Sequence, residues 1–120
     1  MTIKRFEDLE CWKEARMLTQ DIYGYTKRSA FSKDFRLSGQ ITGASISVMN
    51  NISEGFDSKS NREFARFLIY SRRSCSEVQN CLYVAWDQKY ISEDEFRSAY
   101  KHCEKVRKII DGLIRYLKDH

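Results

Sequence analysis

Arg62, Arg66 and Arg73 stand at i, i+4 and i+11, a spacing that puts three guanidinium groups on one face of a helix, with Ile69 between them and Arg72 to the side. Lys101, Lys108 and Arg115 form a second row further along the chain, with Lys105 off its line. Such rows suit phosphate: the planar guanidinium fork matches its oxygens, and the ammonium supplies a fixed positive charge. If both rows point outward, they could track an RNA backbone. The competing reading is an ordinary solvated surface. Glu77 follows Arg73 by four residues, and Glu104 and Asp111 lie among the lysines. Pairs at that spacing contribute only about 0.2–0.5 kcal/mol each. Tyr70, Tyr83, Tyr90 and Tyr100 lie near the rows, yet their spacing suits core or rim positions. The aromatic interleaving that marks single-strand binders is therefore weak.

No residues spell out a reaction. The chain has no H-E-x-x-H, no glycine-rich phosphate loop and no carboxylate pair at metal-ligand spacing. His102 and His120 are the only histidines, and His120 is the last residue of the sequence, where chains usually fray. Ser74 and Cys75 have no candidate base near them in sequence, although folding could supply one. The expectation is a protein that is not an enzyme and holds no cofactor or metal. Cys11, Cys75, Cys81 and Cys103 form no C-x-x-C pair and fall on or beside apolar stripes, so they read as reduced core thiols. Met1 to Arg5 lack the apolar core of an export signal, and no apolar run approaches the ~20 residues of a membrane span. A cytoplasmic location is expected.

These groups must be carried by helices. The 120 residues, with net charge +4 and no proline, suit one domain over 1–120 built from long uninterrupted helices. The sequence pI near 8.9 permits an acidic partner without demanding one. The first predicted helix runs from Glu7 to Lys27 with Trp12, Ala15, Leu18, Ile22 and Tyr25 inward, and Ser29 to Lys33 reads as a loop. The second runs from Asp34 to Glu54. The third covers Asn61 to Lys89, with Phe64, Phe67, Leu68, Ser71, Cys75 and Val78 among its inward residues. The fourth begins at the capping box Ser92–Glu95 and buries Phe96, Ala99, Cys103, Val106, Ile110, Leu113 and Leu117. Short connections place neighbours antiparallel, which gives an all-α, up-down-up-down four-helix bundle, with a three-helix array and a detached arm as the alternative.

The second helix has two apolar stripes. Leu37, Ile41, Ala44, Val48 and Ile52 form the expected core face; Phe35, Thr42, Ile46 and Met49 lie well around the cylinder. The second stripe reads either as an interface with another subunit or as an edge shielded inside its own bundle. Gly39, Gly43 and Ser47 make a small-residue ridge that signals tight packing. At the helix end, Gly55 reads as a left-handed stop, and Ser60 with Glu63 reads as a capping box for the next helix. Asn51 and Glu54 read as satisfying the free backbone groups of that turn, with a recognition site beside Arg62 as the alternative.

Phe6-Glu7-Asp8-Leu9 with Trp12 and Ala15, then Ile22-Tyr23, Gln40-Ile41, and above all Asn51-Ile52-Ser53-Glu54-Gly55-Phe56 followed by Glu63-Phe64 and Phe67-Leu68, resemble the four-helix-bundle family encoded in intervening sequences of bacterial 23S rRNA genes. The resemblance extends from Phe6 to Leu117. Two departures stand out: Ser53 replaces a usual alanine, and Ser71-Arg72-Arg73-Ser74 replaces a small residue followed by glycine-serine. The resemblance implies a bundle that assembles into a ring, typically a homopentamer. Accessory proteins of diversity-generating retroelements are related; they are positively charged and bind nucleic acid and a reverse transcriptase. The combined expectation is an oligomeric, RNA-associated accessory protein with Arg62, Arg66, Arg73, Lys101, Lys108 and Arg115 as contacts. The competing expectation is a protein-binding scaffold without nucleic-acid activity.

Overall fold

A 3₁₀ turn, Phe6–Asp8, leads into α1 (Glu10–Thr26), α2 (Ser29–Lys33), α3 (Phe35–Phe56), α4 (Asn61–Asp87) and α5 (Glu93–Lys118). The computed structural model describes residues 3–120. Cross-helix pairs show the direction of each hairpin, because residue numbers rise on one helix as they fall on the other. Ser71 Oγ donates to the Val48 carbonyl (2.8 Å), Ser74 Oγ to Ser47 Oγ (2.9 Å) and Gln40 Nε2 to Glu77 Oε2 (3.1 Å) between α3 and α4. Likewise Arg72 pairs with Asp111 at 2.6 Å, and Gln79 reaches the Tyr100 carbonyl at 3.5 Å, between α4 and α5. Thr19 on α1 donates to the Ser45 carbonyl on α3, and Glu14 on α1 meets His102 on α5. The four long helices thus close an antiparallel four-helix bundle, as the stripes predict. Its 46 Å long axis fits the ~40 Å of a 27-residue helix.

The predicted stripes supply most of the core, but Trp12, Tyr25, Phe67 and Leu113, read as inward, are half-buried at its edge, and on α5 Ile114 is buried where the stripe predicts Leu113. Leu18, Ile22, Ile41, Val48, Ile52 and Leu68 are among the core's fully buried members. Each large apolar side chain so buried contributes about 1.5–3 kcal/mol. Small polar residues tighten the α3–α4 seam. The hydroxyls of Ser71 and Ser74 are spent on α3, so no buried side-chain N or O is left without a partner among the described residues. Arg73, between them in sequence, is exposed. The bulky departure from the family pattern therefore points to solvent, and the seam keeps its small residues.

Several local expectations are corrected. The acidic residues Glu7 and Asp8 belong to the 3₁₀ turn, and α1 starts only at Glu10. Ser29 to Lys33 is a short helix rather than a loop, with Phe31 buried at 1% exposure. Asp34 precedes α3 as its cap, its Oδ1 accepting from the Leu37 N–H at 3.1 Å. Ser60 caps α4 through the Glu63 N–H, yet the Glu63 carboxylate turns to Arg66 and leaves the box half-made. The Ser92–Glu95 box is complete.

Gly55 lies within α3, and no glycine has positive φ. What excludes a side chain there is space: an added Cβ would sit 2.9 Å from both Phe64 Cδ1 and Phe67 Cβ, and 3.3 Å from the Phe64 carbonyl. Asn51 and Glu54 do not serve the turn either. Asn51 Nδ2 donates back to Ser47 in its own helix (2.9 Å to the carbonyl), and Glu54 is exposed with no hydrogen bond or ion pair among the described residues. Ser58 satisfies the Gly55 carbonyl instead, through both its backbone N–H and its hydroxyl.

The left-handed position is Lys89, at φ 62°. It closes α4 in a Schellman pattern: the Tyr90 N–H reaches the Ala85 carbonyl and the Lys89 N–H the Trp86 carbonyl, both at 2.9 Å. A side chain in that conformation costs about 1 kcal/mol relative to glycine. Lys89→Gly should therefore raise stability by about 1 kcal/mol, read as an upward shift of the urea midpoint with unchanged slope.

Candidate nucleic-acid interface

The α4 row faces solvent. Arg62, Arg66 and Arg73 are all exposed, on the side of the helix away from Leu68, Cys75 and Leu82. Arg66 is held in a two-pronged pair by Glu63, Nε to Oε2 at 3.0 Å and Nη2 to Oε1 at 3.1 Å. Its guanidinium carbon lies 5.6 Å from the Phe67 ring centre and 5.7 Å from that of Tyr70. From the next turn, Arg73 approaches Tyr70 at 5.9 Å. Phe67 meets the Tyr70 ring edge-on, with centroids 6.3 Å apart and planes at 88°. Tyr70 is not the core or rim residue its spacing suggests: it stands exposed between two arginines. The signal was the spacing of Tyr70, four residues after Arg66 and three before Arg73.

On α5, Lys101, Lys108 and Arg115 are exposed as well. The acids offered by sequence as their neutralisers are engaged elsewhere or stand apart. Glu77 accepts from Gln40, Asp111 pairs with Arg72, and Glu104 is exposed without an ion pair among the described residues. Among those residues, Arg62, Arg73, Lys101, Lys108 and Arg115 form no ion pair; Arg66 alone of the sequence-predicted contacts does. The two rows stay on separate helices. The seam between them is occupied by the Arg72–Asp111 pair and by Arg107, which donates to Gln79 at 3.2 Å.

The second α3 stripe divides. Phe35 is 82% exposed and Ile46 37%, whereas Thr42 and Met49 are half-buried, with Met49 packed on the core. Gly39 and Gly43 are exposed, and nothing lies within 4 Å of a Cβ added at either. That part of the small-residue ridge is unused inside the protomer, contrary to the tight packing expected of it. Ser47 does pack, against Ser74.

Other titratable groups are structural. Burial pushes the thiols of Cys11 and Cys75 up to about 12 and raises that of Cys103 further, which leaves them protonated and poor nucleophiles. Ser74 spends its hydroxyl proton on Ser47. Burial alone would raise the Glu14 carboxyl, but hydrogen bonds from His102 and Lys105 outweigh it and hold the group below its usual range. Glu95 is held down to about 2 by hydrogen bonding to Arg28, with the Ser92 backbone N–H adding to it. Among the described residues no cluster of histidine, cysteine or carboxylate groups fits a metal ion. No helix there is long and apolar enough to cross a membrane.

Residues 7–112 match the profile of the family described as 23S rRNA-intervening sequence protein. The chain belongs to this family. No curated protein matches the sequence. A similar fold occurs in the 1.70 Å crystal structure of a protein of unknown function from the S23 ribosomal protein family of Bacteroides thetaiotaomicron VPI-5482. The two superpose with a TM-score of 0.79 at 20% identity, covering 87% of this chain and 97% of the other. At that identity the likeness concerns architecture alone.

Proposed function

We propose that this member of the 23S rRNA-intervening sequence family is a non-enzymatic, RNA-associated accessory protein that assembles with copies of itself. The carrying observation is the exposure of Arg62, Arg73, Lys101, Lys108 and Arg115 without an ion pair among the described residues, while Glu77 and Asp111 are engaged elsewhere. Unpaired cations on a chain of net charge +4 attract a polyanion and release its counterions on contact. Anisotropy of a labelled single-stranded RNA, titrated at several salt concentrations, tests this. About four phosphate contacts give a slope near ~−3 for log affinity against log salt. Replacing Arg62 and Arg73 by glutamine should flatten it to about −1.4, at roughly 0.7 per contact. An absence of binding at low salt would end this reading and leave the protein-binding scaffold.

Self-association is supported by the outer stripe of α3. Phe35, Gly39, Gly43 and Ile46 are exposed and uncharged, and the two glycines would let a neighbouring backbone approach closely. Resemblance puts the assembly at a homopentameric ring; head-to-tail contacts of one face with a different one can close in that way. Native mass measurement should return a multiple of the 14.3 kDa protomer. Gly43→Ala has open space around the new methyl, so it should stabilise the isolated chain by about 1 kcal/mol through helix propensity. The same change should weaken the assembly. A wild-type protein that stays at protomer mass at micromolar concentration contradicts the interface.

A further inference from the structure

We infer that Tyr70, flanked by Arg66 and Arg73, is a stacking site for an unpaired nucleobase, so that the nucleic acid bound at α4 is single-stranded. The inference rests on the nucleic-acid reading above and narrows it. Tyr70 is 37% exposed, on the side of α4 that also carries Arg66 and Arg73. Phe67 sets its orientation by an edge-on contact at 88°. The two guanidinium carbons lie over the ring, 5.7 and 5.9 Å from its centre and near the ~6 Å outer limit of a cation–π contact, so a base that stacks on Tyr70 takes the place of one of them.

The two arginines are not equivalent. Arg66 is committed to Glu63 by two hydrogen bonds and donates to the Tyr70 hydroxyl at 3.5 Å, which holds it in place, so Arg73 is the one a base displaces. Arg73 has no ion pair among the described residues, so its guanidinium can stack on a base while its N–H groups reach a phosphate. Arg62 lies ~16 Å from Arg73 along the helix at 1.5 Å per residue, in position to hold the same strand further along. Every base has a π-face, so such a site tolerates sequence. Its faces are hidden in a duplex, so the site discriminates against paired strands. A π-face does not read the 2′-hydroxyl, so RNA and DNA strands should bind alike.

The test uses the full chain and a short oligonucleotide carrying 2-aminopurine, prepared as single-stranded RNA, single-stranded DNA and an RNA duplex. Wild-type protein should quench the fluorescent base in both single strands and bind them more tightly than the duplex. Tyr70→Leu should weaken single-strand binding about 5- to 100-fold and abolish quenching, with the salt slope unchanged, because no phosphate contact is removed. Tyr70→Phe, which keeps the π-face, should behave as wild type. Equal affinity of Tyr70→Leu and wild type for the single strand overturns the stacking site; if Arg62→Gln with Arg73→Gln still weakens binding, phosphate recognition stands without it. Equal binding of duplex and single strand also overturns it. Failure of the wild type to bind any of the three at low salt overturns both readings.

Discussion

Phe31→Ala is expected to cost about 3–5 kcal/mol, the range for deleting a buried aromatic side chain. Phe31 is 1% exposed on a helix of 5 residues. A helix that short does not persist by itself, so α2 is held in place by what Phe31 touches. Its ring stacks on Tyr90 with centroids 4.9 Å apart and planes at 23°. The Tyr90 hydroxyl donates to Asp34 Oδ2 at 3.0 Å, while the other oxygen of Asp34 caps α3. Arg28, just before α2, donates to the Tyr90 carbonyl at 3.3 Å and pairs with Glu95 in the α5 capping box. One ring thus joins the α1–α3 corner to the α4–α5 turn. Thermal denaturation followed by far-ultraviolet circular dichroism should show a fall in Tm of more than about 10 °C. Ser32→Ala, an exposed change on the same short helix, should move it little. A cost below about 1 kcal/mol for Phe31→Ala would mean that the ring is not the element that fastens this end.

Gly55→Ala should destabilise by up to about 2 kcal/mol even though alanine is the better helix former by about 1 kcal/mol. The added methyl would lie 2.9 Å from Phe67 Cβ and 3.3 Å from the Phe64 carbonyl. Both atoms are fixed to the α4 backbone, so no rotamer change relieves the clash. The helices must separate where α3 hands over to α4, and overpacking of that kind costs about 1–3 kcal/mol. Denaturant titration of Gly55→Ala beside Gly43→Ala is the decisive comparison. At concentrations where the protein is dissociated, the same chemical change should shift the midpoint down at Gly55 and up at Gly43. A rise at both positions would contradict the close approach of α3 and α4.

The contrast shows where sequence reading succeeds. Apolar period reports which face of a helix is wet, so most core residues of α1, α3, α4 and α5 are legible in the sequence, while residues at the stripe edge, such as Leu113 and Ile114, are not told apart by it. The Ser92–Glu95 box, whose partners are three residues apart, is legible too. Gly55 reads as a left-handed stop, but it is a close-packing position. A glycine kept for lack of room and one kept for positive φ look alike in sequence, and the left-handed residue here is Lys89, whose type announces nothing. The α2 segment is too short to show a period. Glu63 satisfied the box pattern but had a competing arginine three residues on. Glu77 and Asp111 were read against neighbours on their own helices. Their partners, Gln40 and Arg72, come from adjacent helices whose rotation no local spacing encodes. For the same reason the outward cations were legible as rows, whereas their freedom from those acids was not.

All four native cysteines lie in the interior. Alkylating reagents that require a thiolate at the surface should find almost nothing to modify in the folded chain. A single cysteine placed on the outer stripe of α3 or beside Tyr70 would then carry a fluorophore or spin label at one known point, with no need to strip the background. Distances between neighbouring copies, or from a copy to a labelled oligonucleotide, become measurable on the otherwise natural protein.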